Sequence, residues 1–238
     1  MTRRIKKVAI IGSGIMGSGI ACHFANIGVE VLLLDIVPRE LNDKEKAKGL
    51  TLEDTIVRNR LVNGALAAAL KSKPSPIYNI KFADRITTGN IDDDLHLIKD
   101  VDWVMEVVVE RLDIKHQLYA DLAKHMQDDA ILTSNTSTIP ISLLTQGMDA
   151  NLQERFAITH FFNPVRYMRL LELVRGEKTR SDIMQRLSDF SEKELGKGVV
   201  HCADTPGFLA NRVGCYAIQF ALHEDLSNLP CLDSIFHP

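Results

Sequence analysis

The sequence is poor in cysteine and lacks any basic excess, and each shortage closes off a class of protein. Cys22, Cys202, Cys215 and Cys231 are scattered and form no CxxC pair. That argues against a structural zinc site or a disulfide framework and fits a reducing cytoplasm. The formal net charge is −3, whereas a nucleic-acid binder carries a clustered positive excess, so no nucleic-acid partner is expected. No uninterrupted apolar stretch approaches the ~20 residues a helix needs to span a bilayer, so no membrane partner is expected either. The basic start MTRRIKK imitates a secretion signal, but the apolar core behind it, residues 8–11, is too short and runs into a glycine-rich turn. No internal repeat and no low-complexity tract appears. What remains is 238 residues of ordinary globular composition, 45% hydrophobic and 25% charged, enough for one large core with a satellite.

Periodicity organises the rest. Residues 5–11 are β-branched and continuously apolar, as in a strand buried on both faces of a parallel sheet. A turn at 12–17, a helix over 18–27 stopped by Gly28, and an apolar strand over 29–34 closed by Asp35 complete a βαβ unit. Between Pro38 and Asp84 the character changes: Lys44, Glu45, Lys46 and Lys48 crowd together, and a helix is expected from about 52 to 70, ended by Pro74 and Pro76. This charged insertion, about 42–82, is either a solvated pair of helices or a ligand-binding element. Strands follow at 101–109, 130–133, 156–162, 170–174 and 198–202, with helices at 114–126, 183–195 and 208–222. The alternation predicts an α/β fold with a doubly wound, mostly parallel sheet. The tail, 227–238, is aperiodic.

Gly12-Ser13-Gly14-Ile15-Met16-Gly17 matches the G-x-G-x-x-G pattern. The motif alone is weak. Here it follows a strand, opens a helix and precedes a second strand ending in an acid, which is its confirming context. Gly12 permits the tight turn, Gly14 lets backbone approach a pyrophosphate, and Gly17 lets helix and strand pack closely. The helix start offers free N–H groups to phosphate oxygens. Asp35 is placed to accept hydrogen bonds from both adenosine ribose hydroxyls and to repel a 2′-phosphate, which favours NAD over NADP. Arg39 nearby softens that preference.

Three later segments are unusually polar for strand ends: Ser134-Asn135-Thr136-Ser137, His160-Phe161-Phe162-Asn163-Pro164, and Glu172 inside the apolar run 170–174. Ligands of open α/β sheets sit at the carboxyl ends of strands. A histidine among aromatics is more often a satisfied core residue than a catalyst. A lone glutamate in an apolar strand is different, because a buried carboxylate needs a partner. If His160 and Glu172 lie on adjacent strands, each supplies that partner, and the second imidazole nitrogen faces substrate as a general base.

At these residues the sequence resembles the 3-hydroxyacyl-CoA dehydrogenase family. The stretches VAIIGSGIMGSGIA, DWVMEVVVERLDIK, SNTST, HFFNP, LLELV and DTPGFLANR run in family order from about residue 5 to 213, and LNDKEKAKGL resembles the dehydrogenase part of a bacterial fused fatty-acid oxidation enzyme. The resemblance implies oxidation of an acyl-CoA substrate, an (S)-3-hydroxyacyl thioester, with NAD as cofactor. It makes His160 the catalytic base and Glu172 its carboxylate partner. Ser137 resembles the serine that bonds substrate near the nicotinamide, and Asn211 the asparagine that orients the substrate oxygen. Gly12, Gly14, Ile15, Met16, Gly17, Asp35, Glu110, Lys115, Ser137 and Asn163 correspond to cofactor contacts. The insertion resembles a helical hairpin that touches coenzyme A, with Lys71 and Lys73 as candidate phosphate contacts.

Family members continue past GFLANR into a helical domain, whereas only a short tail follows here. The expected organisation is a Rossmann-like cofactor domain over 1–206 and, over 207–238, a remnant of a C-terminal helical domain that is otherwise missing. A homodimer or a complementing helical domain is the expected partner. Three functions stay open: a working dehydrogenase, a truncated NAD-binding module without turnover, and a dehydrogenase of a free hydroxy acid.

Overall fold

Every residue of the first strand after Lys7 is buried, and its side chains part to two sides. In the computed structural model, which describes residues 4–223, β1 (Lys7–Ile11) sends Val8 and Ile10 into one apolar cluster and Ala9 and Ile11 into another. A strand with two buried faces belongs inside a sheet covered by helices on both sides. Among the described residues, eight strands form one sheet in the order β3-β2-β1-β4-β5-β6-β7-β8. These are β2 (Glu30–Asp35), β3 (Ile86–Asn90), β4 (Trp103–Glu106), β5 (Ile131–Ser134), β6 (Phe156–Phe161), β7 (Leu170–Arg175) and β8 (Gly198–Cys202). Neighbours run parallel except β6 and β7, which are antiparallel. The doubly wound, Rossmann-like architecture expected from the alternation is the one observed.

One face is covered by α1 (Ile15–Asn26) and, further along the chain, by the long helix Ser181–Lys193, whose Phe190 stacks on Phe24 at 6.0 Å while Trp103 meets both rings edge-on. Such a cluster contributes packing beyond its buried area. The other face is covered by the helix Leu112–Ala123, whose Leu118, Tyr119 and Leu122 join Leu132, Phe156 and Ile158.

The insertion departs from a hairpin in detail. It consists of α2 (Asp43–Ala47), α3 (Thr55–Arg58) and one twelve-residue helix, α4 (Arg60–Lys71). A reciprocal capping box between Asn42 and Glu45 starts α2. Val62 of α4 is buried and Leu66 and Leu70 pack beside it, so α4 lies on the α1 face of the sheet. Of the charged residues that drew attention in the sequence, Lys44, Lys46 and Lys48 are exposed on and after α2, whereas Glu45 is buried and pairs with Arg60 at the start of α4.

β3 has no counterpart among the expected strands. Its sequence, Ile-Thr-Thr-Gly-Asn, carries one large apolar residue, and it pairs only with β2 at the sheet edge. The expected strand over 101–109 is shorter, because residues after Glu106 turn away over the glycine loop. Completing the chain order are α5 (Ile91–Asp94), α6 (the Leu112–Ala123 helix), α7 (Ile141–Leu144), α8 (Ala150–Glu154), α9 (the Ser181–Lys193 helix) and α10 (Ala210–His223). The expected irregular tail, 227–238, lies outside the described residues.

Candidate active site

The glycine turn sits at the carboxyl end of β1, beside that of β4. Gly12 has φ +105° and donates its N–H to the Leu34 oxygen at 2.7 Å. A Cβ on Gly12 would strike the Val107 carbonyl, and one on Gly17 would strike the Gly12 carbonyl, whereas a Cβ on Gly14 would point into open space. The first and third glycines are therefore packing requirements, and the second leaves room for a ligand against bare backbone. No side chain caps α1, so its first N–H groups stay available to an anion. The residues present thus fit a dinucleotide pyrophosphate.

Asp35 ends β2 as expected, and it is already engaged. Its Oδ2 accepts from the Ser13 N–H at 2.8 Å and from the Ser13 hydroxyl, and its Oδ1 accepts from the Ile36 N–H at 2.7 Å. A carboxylate has about four acceptor positions, which leaves about one for a ribose. The Ser13 hydroxyl must swing aside for Asp35 to hold two ribose hydroxyls.

His160 and Glu172 face each other directly in the antiparallel register of β6 and β7. The His160 Nδ1 lies 2.8 Å from Glu172 Oε2. Glu172 is fully buried and His160 is 7% exposed. The second carboxylate oxygen, Oε1, accepts the backbone N–H groups of Leu209 and Ala210 at 3.0 and 2.7 Å. Glu172 therefore holds the imidazole with one oxygen and the start of α10 with the other, where the helix dipole adds to its stabilisation. Asn211 follows on the first turn of α10. Phe162 and Phe208 close around the imidazole, with ring centroids 4.4 and 5.7 Å from it. Phe208 has φ +46°, a left-handed conformation that costs a bulky residue energy and is retained where a site needs it. Cys202 also touches Glu172, at 3.7 Å. Burial, and then the Glu172 charge, push its thiol up to about 11, so it stays neutral.

A buried network lies behind the cleft, built on Glu106 at the end of β4. Its carboxylate accepts from Lys115 Nζ at 2.7 Å, from the Tyr119 and Ser134 hydroxyls at 2.6 Å, and from the Val108 N–H at 2.8 Å. Burial and the Glu106 charge hold the Tyr119 phenol well above its ordinary value, so it stays protonated and can donate to Glu106. Lys115 also reaches Glu110 at 3.3 Å, and Glu110 in turn accepts from the Thr136 hydroxyl and the Ser137 N–H. Lys115 is 1% exposed and meets the cleft through Glu110. Sequence reasoning overlooked Glu106, although a lone acid ending an apolar strand is the same signal that singled out Glu172. It named Asn135 only as part of a polar segment; its side-chain oxygen accepts the Phe161 N–H at 2.9 Å and ties β5 to β6.

These elements converge on one cleft of about 630 Å³, lined by Gly14, Ile15, Met16 and Gly17, by Val107 to Glu110, by Asn135 and Ser137, by His160 to Asn163, and by Asn211. A second cavity of about 400 Å³ adjoins it. It is floored by Ser13, Gly14, Ser18 and Gly19, roofed by Ala65, Ala68 and Ala69 of α4 and by Ser72 just after it, and walled by residues 163–167. Lys71 and Lys73 are exposed and do not line it. Among the described residues no helix is long and apolar enough to cross a membrane.

A glycine turn at an uncapped helix, an acid-ended second strand and a carboxylate-held imidazole at the rim of the same cleft define the NAD-binding domain of a dehydrogenase. Comparison with known proteins gives the family. Residues 7–205 match the family model described as 3-hydroxyacyl-CoA dehydrogenase, NAD binding domain. A Bacillus subtilis protein named "Probable 3-hydroxyacyl-CoA dehydrogenase" is 45% identical over 95% of this chain and 29% of its own length, and a Deinococcus radiodurans protein of the same name is 43% identical over 92% and 59%. The crystal structure of (S)-3-hydroxybutyryl-CoA dehydrogenase from Ralstonia eutropha superposes with a TM-score of 0.69 at 30% identity, over 92% of this chain and 70% of that one. The chain belongs to the 3-hydroxyacyl-CoA dehydrogenase family, and it spans under two thirds of the length of these two curated relatives.

Proposed function

We propose that this chain supplies the cofactor site and the acid–base pair for NAD-dependent oxidation of an (S)-3-hydroxyacyl-CoA thioester to the 3-oxoacyl-CoA in fatty-acid β-oxidation. The observation that carries this reading is the 2.8 Å contact between His160 and Glu172 in the cleft of the glycine turn. A carboxylate on Nδ1 selects the tautomer whose proton sits there, which leaves the Nε2 lone pair to take the substrate hydroxyl proton. NAD, when bound, accepts the hydride that leaves C3. The Glu172 charge stabilises the imidazolium that forms, and the Phe162 and Phe208 rings exclude water from it. Ser137 and the Asn211 amide orient the substrate oxygen, while Glu110, Lys115 through Glu110, Asn163 and Asp35 hold the cofactor. The second cavity, lined largely by alanine, glycine, serine and proline, suits the thin pantetheine arm of coenzyme A. We take residues 1–206 as the cofactor domain and 207–238 as the beginning of a helical one, and we place the reaction in the cytoplasm.

A specific observation favours the alternative of a cofactor module that does not turn over alone. Along α10, Val213, Tyr216, Ile218, Phe220 and Leu222 are all exposed, an apolar surface of the kind a partner covers. A complementing helical domain or a second copy is the proposed cover. The test is acetoacetyl-CoA reduction by NADH with the purified chain. Turnover abolished by His160→Ala supports the dehydrogenase, NADH binding without turnover selects the module, and preference for free 3-hydroxybutyrate over its thioester refutes the acyl-CoA substrate.

A further inference from the structure

Behind the wall shared by the two cavities lies a buried lysine that the proposed reaction does not use. Lys197 sits in the turn between α9 and β8 and is 5% exposed. Its Nζ donates to the carbonyl oxygens of Val165 and Met168, the second at 2.9 Å, and lies 5.7 Å from the centroid of the Phe161 ring. The lysine is itself anchored: its N–H bonds the Ser191 oxygen at 2.9 Å, and the next N–H, of Gly198, bonds the Arg169 oxygen at 2.8 Å. The chain it grips belongs to no strand or helix. Residues 163–168 are held internally by two bonds, from the Tyr167 and Met168 N–H groups to the Pro164 oxygen. Yet this segment carries Asn163, which lines both cavities, and Arg166 and Tyr167, which line the second.

The surroundings of Lys197 are unusual for a buried cation. From α1 it faces His23, whose Nε2 lies 3.1 Å from the Leu195 oxygen and whose Nδ1 has no partner. Burial, and then the Lys197 charge, lower His23 to about 4, so it stays neutral. From β6 it faces the Phe161 ring, and the Arg166 guanidinium of the gripped segment adds its charge to the forces that keep His23 neutral. No ion pair among the described residues offers it a carboxylate. An ammonium without a counter-ion is costly to bury, so a fold that keeps one there gains from its charge-assisted bonds.

We propose that Lys197 is a positioning residue, a charged staple that fixes segment 163–168 from behind and so sets the shared wall of the cofactor cleft and the thioester-arm cavity. The functional part rests on the reading of those two cavities given above. Burial pushes the ammonium down to about 8. The staple is therefore charged at pH 7 and neutral by pH 9.5, where its remaining N–H groups are weaker donors.

The test compares the full chain with Lys197→Met, which keeps the length but donates nothing, and Lys197→Arg, which stays charged throughout. Hydrogen exchange at pH 7 is expected to run at least about tenfold faster at the Tyr167 and Met168 amides of Lys197→Met, with β6 amides unchanged. Acetoacetyl-CoA affinity of the wild type is expected to fall severalfold from pH 7 to 9.5, to be weak at both in Lys197→Met, and to be flat in Lys197→Arg. Unaltered exchange and affinity in Lys197→Met overturn the proposal, as does an unchanged pH decline in Lys197→Arg. If Lys197→Met does not fold, the pH comparison of Lys197→Arg with wild type decides. If the wild type binds NADH but no acetoacetyl-CoA at either pH, the thioester reading fails, and the exchange result still decides the staple.

Discussion

Replacing Glu172 by glutamine tests the pair at the centre of the site with almost no change of shape. The glutamate has two sets of donors, the imidazole Nδ1–H on Oε2 and the Leu209 and Ala210 N–H groups on Oε1. A glutamine has one oxygen. Two backbone donors outweigh one, so the amide oxygen is expected to stay at the start of α10 and the NH2 group to face His160. An NH2 there turns Nδ1 into an acceptor and moves the ring proton to Nε2, the nitrogen that takes the substrate proton in the proposed reaction. Loss of the charge-assisted bond alone is worth about 1.5–3 kcal/mol, or roughly 10- to 150-fold in rate. Tautomer inversion adds to it; in the Ser-His-Asp arrangement the same acid-to-amide swap costs about 10⁴ in kcat. We therefore expect kcat for acetoacetyl-CoA reduction to fall by about 10²–10⁴ in Glu172→Gln, with NADH affinity within about twofold of wild type. Nitrogen NMR of the imidazole reads the tautomer directly and needs no turnover. A rate within about threefold of wild type, or an unchanged tautomer, refutes the reasoning.

Other expectations follow from single residues. His23 is held neutral by burial, with its folded value near 4 against 6.5 in the open chain; the unfolded chain therefore binds the extra proton first, and stability present above pH 6.5 is lost as pH falls towards 4. That loss amounts to about 3 kcal/mol, and urea titrations at pH 7 and 4.5 should show it shrink in His23→Gln. Glu106→Gln leaves the Lys115 ammonium, 1% exposed, without its closest counter-charge, and should cost about 3–5 kcal/mol in the same titration. Asp35→Ala should relax the preference for NADH over NADPH in a fluorescence titration; an unchanged preference removes Asp35 from the ribose site. Gly17→Ala drives a methyl group into the Gly12 carbonyl and should weaken NADH binding more than about tenfold, an effect that Gly14→Ala reproduces only if the bound pyrophosphate lies against that residue.

Much of this molecule was legible from residue order. The central strands announced themselves because burial on two faces demands unbroken apolar runs, and β1, β2 and β4 have them. The glycine turn and its helix were readable because only glycine fits where a carbonyl of Val107 or Gly12 occupies the Cβ position. β3 was not readable, since an edge strand with one neighbour needs little apolar surface, and Thr-Thr-Gly-Asn carries no alternation to betray it. A single helix was expected from about 52 to 70, but the chain makes the short α3 and the longer α4 in its place, and residue order gave no sign that α4 would fold back on α1 and roof a second cavity.

His160 and Glu172 were candidates by residue type alone. A solitary acid in an apolar strand demands a partner, and the chain determined that much, along with the cofactor turn and the family motifs. Which group answers the demand is a matter of register, and register is set by the pairing of whole strands: a slip of one residue between β6 and β7 would have turned the pair to opposite faces. The same holds for the second oxygen of Glu172, the network on Glu106 and the grip of Lys197, each joining atoms from elements far apart in the chain. Local sequence decided where the chain turns and what must be buried. Only the assembled sheet decided which buried polar groups meet, because those meetings depend on distances that no stretch of neighbouring residues contains.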